Sequence, residues 1–306
     1  MSPLKKVLSM ILAGIAAGCL FAAILLILQS KAEDRRAEEL FHEHRVPTKV
    51  QGSSENENSG SSKEDSADNS SPEETPSDEV PSQDNLSGET ASESTEEHTE
   101  EIPLTENPYA ASYLANQDMA GWLQIPGTTI DYPVMWTPAD ETYYLYKDFE
   151  GNKNQNGCLI LDTDSSVDPL STNLIIHGHN MKSGAMFGNL LKFEDQEYFK
   201  THKKILLYTL KCQRNYEIIA VFRSQVFKKT DQVFKFYQFF QADTEEEFND
   251  FYHNIKALSL YDTGVTAEFG DHFITLSTCV YHVTNGRFVV VAKEVESGDH
   301  YLPLTE

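Results

Sequence analysis

The sequence predicts a mainly β domain, a barrel or sandwich of eight short strands with few helices, carried behind an apolar segment and an acidic spacer. Three observations predict it. From residue 106 onward, eight β-branched or apolar runs alternate with turn residues. A single long amphipathic helix pattern interrupts them. Composition divides the 306 residues into an apolar run, a polar acidic stretch and a compositionally ordinary remainder. That remainder, roughly two hundred residues at 106–306, is enough for one well-buried domain.

Residues 1–6 form a short tail with Lys5 and Lys6, read as cytoplasmic. Residues 7–28 carry no charge. As a helix they span roughly 33 Å, enough for a hydrocarbon core of about 30 Å. Segment 7–29 therefore reads as an uncleaved transmembrane anchor. It is longer than the apolar core of a signal peptide, about 7–15 residues, and no small-x-small cleavage site follows it. Ala17-Gly18-Cys19 is a poor lipoprotein site, because Ala16 stands where a larger apolar residue belongs. Lys31, Arg35 and Arg36 follow the span, so charge alone does not orient it.

Residues 30–105 read as an acidic disordered linker. Between 51 and 105 there is no aromatic residue, and Ser, Glu, Asp, Asn and Pro dominate. Such a segment buries too little apolar surface to offset its ordering entropy. A flexible chain of this length spans roughly 45–50 Å, and like-charge repulsion extends it further. Residues 51–101 hold sixteen carboxylates and one Lys, a net of −15 out of −24 for the whole chain. The remaining −9 leaves the domain only moderately acidic, with no basic stripe to bind phosphate, so nucleic acid is excluded as a partner.

Within 106–306 the predicted strands are 121–125, 129–135, 157–162, 172–177, 204–209, 215–224, 272–279 and 287–294. Thr244 and Glu247 form a capping box, and Phe248, Phe251, Tyr252, Ile255 and Leu258 then recur at helical spacing. That stripe reads as core packing. Shorter helices are expected at 109–116 and 186–193. No internal repeat is present.

Four cysteines occur: Cys19 in the apolar run, and Cys158, Cys212 and Cys279 in the domain. Three domain cysteines leave at least one thiol unpaired. Cys279 ends the run Ile274-Thr275-Leu276-Ser277-Thr278-Cys279. In a strand, Thr275, Ser277 and Cys279 share one face and Ile274 and Leu276 the other. Thr284-Asn285-Gly286 then signals a turn, and Arg287 opens the next strand, close to the end of the first. A guanidinium there is placed to stabilise a thiolate or an oxyanion. A third candidate is Leu174-Ile175-Ile176-His177-Gly178-His179, an apolar strand ending in two histidines, either suited to acid–base work beside a Cys nucleophile. A metal reading competes: His177-x-His179 with Cys279-x-x-His282 supplies two pairs of zinc ligands, although zinc-type paired cysteines are absent.

Together these residues resemble the sortase family, specifically its class B. Thr275-Leu276-Ser277-Thr278-Cys279 matches the family's nucleophile motif, and Arg287, eight residues on, matches its Arg. His179-Asn180-Met181 with Met186-Phe187-Gly188 resembles the segment around the catalytic His. The helix at 244–258 followed by Ser259-Leu260-Tyr261-Asp262-Thr263-Gly264 resembles the class B insertion. Gly121-Trp122-Leu123-Gln124-Ile125-Pro126-Gly127 and Ile130-Asp131-Tyr132-Pro133-Val134 resemble its early strands. The likeness runs from about residue 106 to 306 in family order. Two departures stand out. His177 replaces a Tyr common before the Gly-His pair, and Cys158 replaces a Ser or other small residue, which leaves a Cys158–Cys212 disulfide open.

The resemblance implies an eight-stranded β-barrel with peripheral helices, and a domain held outside the membrane of a Gram-positive cell. It implies a catalytic set of Cys279, His179 and Arg287 with no metal or other cofactor. The Cys279 thiolate would attack the carbonyl after Thr in an Asn-Pro-x-Thr-x sorting signal. Arg287 would steady the oxyanion and His179 protonate the leaving amine. A cell-wall peptide amine would then resolve the thioester, attaching a surface protein to peptidoglycan. Ser277 and Thr278 would shape the substrate groove, with Leu260 and Tyr261 lining it. Two alternatives remain at this stage: a pilus-polymerising sortase with a pilin Lys as acceptor, and a non-catalytic zinc-binding surface module.

Overall fold

In the computed structural model, eight strands close on themselves because one of them, β8, pairs along both edges. The described residues are 104–304 without a break, together with 22–25, 28–29, 31–32, 35–36, 39, 41–42 and 44–45. The strands are β1 (Leu104–Thr105), β2 (Met119–Gln124), β3 (Asp131–Met135), β4 (Leu159–Leu161), β5 (Asn173–Gly178), β6 (Lys204–Tyr208), β7 (Cys212–Gln225), β8 (Phe273–Cys279) and β9 (Gly286–Tyr301). Their order around the wall is β9-β7-β6-β2-β3-β4-β5-β8, and β8 returns to β9. The pairs β3/β4 and β5/β8 are parallel, and the other wall pairs are antiparallel. All eight expected strands are present. The two-residue β1, too short to leave a periodic signal, adds in parallel to the edge of β9 outside the closed wall.

Alternation along the strands builds two cores. Ile274, Leu276, Leu174, Ile176, Val290 and Ala292 join Trp122, Val134, Leu161, Leu207 and Ile218 inside the barrel. The opposite faces of β7, β8 and β9 present Ile219, Phe222, Phe273, Val289 and Val291 to a second cluster. That cluster is covered by helix α3 (Glu245–Leu258), which starts at the expected capping box. Thr244 Oγ1 accepts from the Glu247 amide at 3.3 Å, and Glu247 Oε2 accepts from the Thr244 amide at 3.2 Å. Phe248, Phe251 and Ile255 are buried against the wall, with the Phe248 and Phe273 rings 5.3 Å apart and Phe251 stacked on Phe239 at 4.0 Å.

The expected short helix at 109–116 is α1 (Ala110–Ala115). The one expected at 186–193 is not a helix. Met186 sits at φ +52°, which ends any helical start, and only a 3-10 turn follows at Leu190–Glu194. A helix that sequence reading missed, α2 (Gln196–Thr201), comes next, with Asp195 as its cap accepting from the Glu197 amide at 2.9 Å.

Part of the linker expected at 30–105 belongs to the folded body. The described residues from 31 to 44 are helical, and Phe41 is buried against Tyr132 at 5.3 Å between rings. His44 and Arg45 continue the contact, to Ser112 Oγ at 3.1 Å and to the Asp131 carboxylate at 3.3 Å. The lone aromatic anchor explains the difference, because the reading rested on composition from residue 51 onward. The acidic stretch 51–101 and most of the apolar run 7–29 lie outside the described residues. Among the described residues no helix is long and apolar enough to cross a membrane.

Removing a Phe from a core costs about 3–5 kcal/mol. Phe251→Ala is therefore expected to lower unfolding stability by that amount in urea titration, with an unchanged denaturant slope. A loss below about 1 kcal/mol would mean that the outer cluster is not a core.

Candidate active site

The barrel wall brings three chemically active side chains to one end of β8. The strand Phe-Ile-Thr-Leu-Ser-Thr-Cys carries three β-branched residues, Ile274, Thr275 and Thr278, and is buried until its last residue, Cys279, which is exposed. Strands β5 and β8 run parallel with matched register: Ile176 faces Leu276, His177 faces Ser277 and Gly178 faces Thr278. One step further, His179 stands just past the end of β5 and Cys279 ends β8; neighbouring strands lie about 4.8 Å apart. On the other edge of β8, Cys279 lies directly opposite Arg287. Directly opposed residues of an antiparallel pair share a face, with Cβ atoms about 4.5–5.5 Å apart. Cys279 thus stands between two chain segments, one carrying His179 and the other Arg287.

Hydrogen bonds hold this arrangement beyond the last ladder rung. Thr278 Oγ1 donates to the Gly178 carbonyl at 2.7 Å, and Asn180 Nδ2 donates to the Cys279 carbonyl at 2.9 Å. The Phe187 amide donates to the His179 carbonyl at 3.0 Å, which turns the chain back after the histidine. Gly178 is needed between the histidines, since a Cβ there would sit 2.6 Å from side-chain carbons of Leu159 and Phe187.

The His179 ring is oriented by the 137–157 loop. Its Nε2 lies 2.9 Å from the Leu145 carbonyl oxygen, and the Tyr146 ring lies 5.2 Å away. A carbonyl only accepts, so Nε2 carries the hydrogen, and in the neutral ring Nδ1 is left to exchange protons. The loop is itself pinned. The Cys158 amide donates to the Tyr144 carbonyl at 3.0 Å, and the Tyr144 hydroxyl donates to Asp118 at 2.9 Å. Gly157, at φ +61°, passes so close that a Cβ would collide with the Leu145 carbonyl.

Arg287 is fixed by the predicted turn. Asn285 sits at φ +58°, and a Cβ on Gly286 would collide with the Val280 carbonyl. The half-buried guanidinium donates to the carbonyls of Asn285 at 3.3 Å and Gly286 at 3.1 Å.

The two histidines separate in role. His177 Nε2 lies 3.0 Å from Asp162 Oδ2, so its ring is engaged in a polar pair with that carboxylate. The alternative zinc set of His177, His179, Cys279 and His282 is not assembled. Among the described residues, the His/Cys/Asp/Glu group that brings three donor atoms within 4.8 Å of one another is Glu141, Asp162 and His177.

The expected groove residues divide as well. Ser277 shares the face of Cys279, is buried, and its Oγ has no hydrogen-bond partner. Thr278 turns to the inner face, where its hydroxyl is used in the link to Gly178. Leu260 and Tyr261 lie on another segment. The Leu260 amide donates to the Val221 carbonyl at 2.7 Å, and the Tyr261 hydroxyl donates to the Phe193 carbonyl at 2.6 Å. No strand register brings them to the thiol. Asn180, Leu145 and Asp162 escaped sequence reading, because a backbone acceptor and cross-chain partners leave no local pattern.

The cysteines also divide. Cys158 and Cys212 are buried free thiols, so the disulfide left open between them is not formed. Burial pushes the Cys158 thiol far above its ordinary range. Cys279 alone among the three is open to a substrate.

Comparison with known proteins gives the same answer from several directions. A family model described as a sortase domain matches residues 123–295. Sortase B of Listeria monocytogenes is 33% identical over 186 residues, 59% of this chain and 71% of that protein. Sortase B of Staphylococcus aureus is 28% identical over 186 residues, 59% and 72% respectively. Among solved structures, sortase B from Bacillus anthracis in complex with AAEK1 superposes with a TM-score of 0.54 at 32% identity, covering 64% of this chain and 90% of that one.

Exposure predicts a reactivity order. Brief iodoacetamide treatment of the full-length chain, followed by peptide mapping, is expected to label Cys279 and spare Cys158 and Cys212 until denaturant is added. Labelling of Cys158 in the native protein would contradict the burial pattern.

Proposed function

Because the chain belongs to the sortase family and to its class B, whose members are cysteine transpeptidases, we propose that Cys279, His179 and Arg287 are its catalytic residues. The observation that carries the assignment is the register of β8, with Gly178 beside Thr278 on one edge and Arg287 opposite Cys279 on the other.

The chemistry follows from what each group can do. The Cys279 thiolate attacks the carbonyl carbon of the scissile amide, and the carbonyl π electrons move onto oxygen. Arg287 donates hydrogen bonds to that oxyanion, an interaction stronger in the transition state than before it. The C–N bond then breaks, and protonated His179 delivers its Nδ1 proton to the departing nitrogen. The thioester that remains is attacked by an incoming amine. His179 takes back a proton from that amine, and the thiolate leaves. Two easier steps replace one difficult amide exchange. No step passes through a metal or an organic cofactor.

The acyl donor in this reading is a surface protein with an Asn-Pro-x-Thr-x sorting signal cleaved after Thr, and the acceptor is a cell-wall peptide amine. The class B resemblance supports both. The apolar run 7–29 would hold the chain in the membrane as a single span with its domain outside, and the acidic segment would set the reach of the domain. Ser277, on the face of Cys279 and buried, would lie beneath the groove rather than line its surface.

Turnover of an Asn-Pro-x-Thr-x peptide by the full-length chain, with and without an amine acceptor, tests this. Cys279→Ala is expected to abolish cleavage. Arg287→Ala should lower kcat by about 10²–10³-fold, the usual cost of an oxyanion donor. Cleavage that persists in Cys279→Ala would remove the nucleophile assignment.

The two histidines give a separate check. His179→Ala should reduce kcat by about 10²–10⁴-fold, and His177→Ala far less. The reverse ranking would move the general acid to His177.

A further inference from the structure

Two residues before the thiol, on the same face of the wall, lies a second polar group that the thioester chemistry leaves unused. His177 stands beside Ser277 in the β5/β8 register, as His179 stands beside Cys279. At about 3.3 Å per residue, this row lies roughly 6.6 Å from the row of the nucleophile. His177 Nε2 is 3.0 Å from Asp162 Oδ2, and the Glu141 carboxylate completes a trio whose donor atoms lie within 4.8 Å of one another. We propose that Glu141, Asp162 and His177 form a binding site for a divalent transition-metal ion of the zinc type, on the same face of the wall as the nucleophile.

Three features support the site. The first is the donor set. One imidazole nitrogen and two carboxylates suit zinc or manganese, whereas calcium takes oxygen ligands alone. The second is size. Ligands 2.0–2.2 Å from a tetrahedral ion are about 3.4 Å from each other, so the 3.0 Å His177–Asp162 contact needs little adjustment for an ion to replace the shared proton.

The third feature is Ser277. Its side chain is buried at 2% exposure and its Oγ has no hydrogen-bond partner. Buried hydroxyls are nearly always paired, and an orphan calls for an explanation. Ser277 lies directly beside His177 and on the same face of the wall. An ion, or a water bound to it, supplies the missing partner.

Asp162 Oδ1 accepts from the Asp164 amide at 3.1 Å, which fixes the carboxylate and leaves Oδ2 turned to His177. Three protein ligands leave a coordination position open. A carbonyl or carboxylate oxygen of a bound peptide is the group it would take. The site is separate from the zinc set considered on sequence grounds, since neither Cys279 nor His282 takes part.

The test uses the full-length chain with Cys279→Ala, which removes the thiolate as a competing ligand. Titration with Co²⁺ is followed by visible absorption, and bound Co²⁺ is then displaced with Zn²⁺. The expected result is one saturable Co²⁺ per chain with nitrogen and oxygen coordination, released by Zn²⁺ and unaffected by Ca²⁺. Asp162→Asn, His177→Gln and Glu141→Gln should each weaken binding by at least about tenfold, since even outer-shell changes cost that much. Glu141 is exposed, so Glu141→Gln keeps the fold and stays informative if another variant unfolds. Absence of saturable binding, or affinity unchanged in both Glu141→Gln and His177→Gln, would overturn the proposal. The readout is independent of peptide turnover, so its failure is distinct from failure of the transpeptidase reading.

Discussion

The structure depends on one constraint, the matched parallel pairing of β5 with β8. A shift by one residue would turn every side chain of a strand to the other face. Here the pairing is fixed from within, because Leu174 and Ile176 must meet Ile274 and Leu276 in the barrel core. It is also fixed from outside, where Thr275 Oγ1 donates to Asn173 Oδ1 at 2.8 Å. With that register set, His179 has no choice but to stand beside Cys279. The antiparallel partner β9 is constrained in the same way by Val290 and Ala292, and it delivers Arg287 to the opposite edge. The placement of Cys279, His179 and Arg287 is a consequence of core packing several residues away.

Packing fixes rows, and hydrogen bonds fix the last angstrom. Where the ladder ends, Thr278, Asn180 and the Leu145 carbonyl take over the task of holding Gly178, Cys279 and His179. Each such bond is worth about 1 kcal/mol in stability. Their value to chemistry is larger, since a misplacement of about 1 Å can cost 10²-fold in rate. The buried Cys158 belongs to this layer, because its amide holds the loop that offers the Leu145 carbonyl. Its thiol is chemically silent for the same reason that the loop is well placed.

Most of the fold was legible because its signals are periodic. Alternating runs marked all eight wall strands, and the Thr244/Glu247 capping box with a phenylalanine stripe marked α3. The Cys279–Arg287 neighbourhood was legible because an Asn-Gly turn makes strand pairing local. What escaped was non-local or acyclic. Met186 adopts a left-handed conformation that no helical pattern signals. Phe41 is a single anchor within a stretch read as spacer. The partner of His177 is Asp162, fifteen residues earlier and just past the end of β4, so sequence alone did not separate the two histidines. Tyr261 showed as a candidate groove residue, yet its hydroxyl is used to hold Phe193.

The central claim is that this register makes Cys279 an acyl carrier. The most direct measurement is acid-quenched mass analysis of the full-length chain after brief exposure to an Asn-Pro-x-Thr-x peptide without an acceptor amine. The account predicts an added mass equal to the peptide fragment up to Thr, attached to Cys279 and released by hydroxylamine. Peptide cleavage with no protein adduct, or an adduct mapped to any other residue, would contradict it.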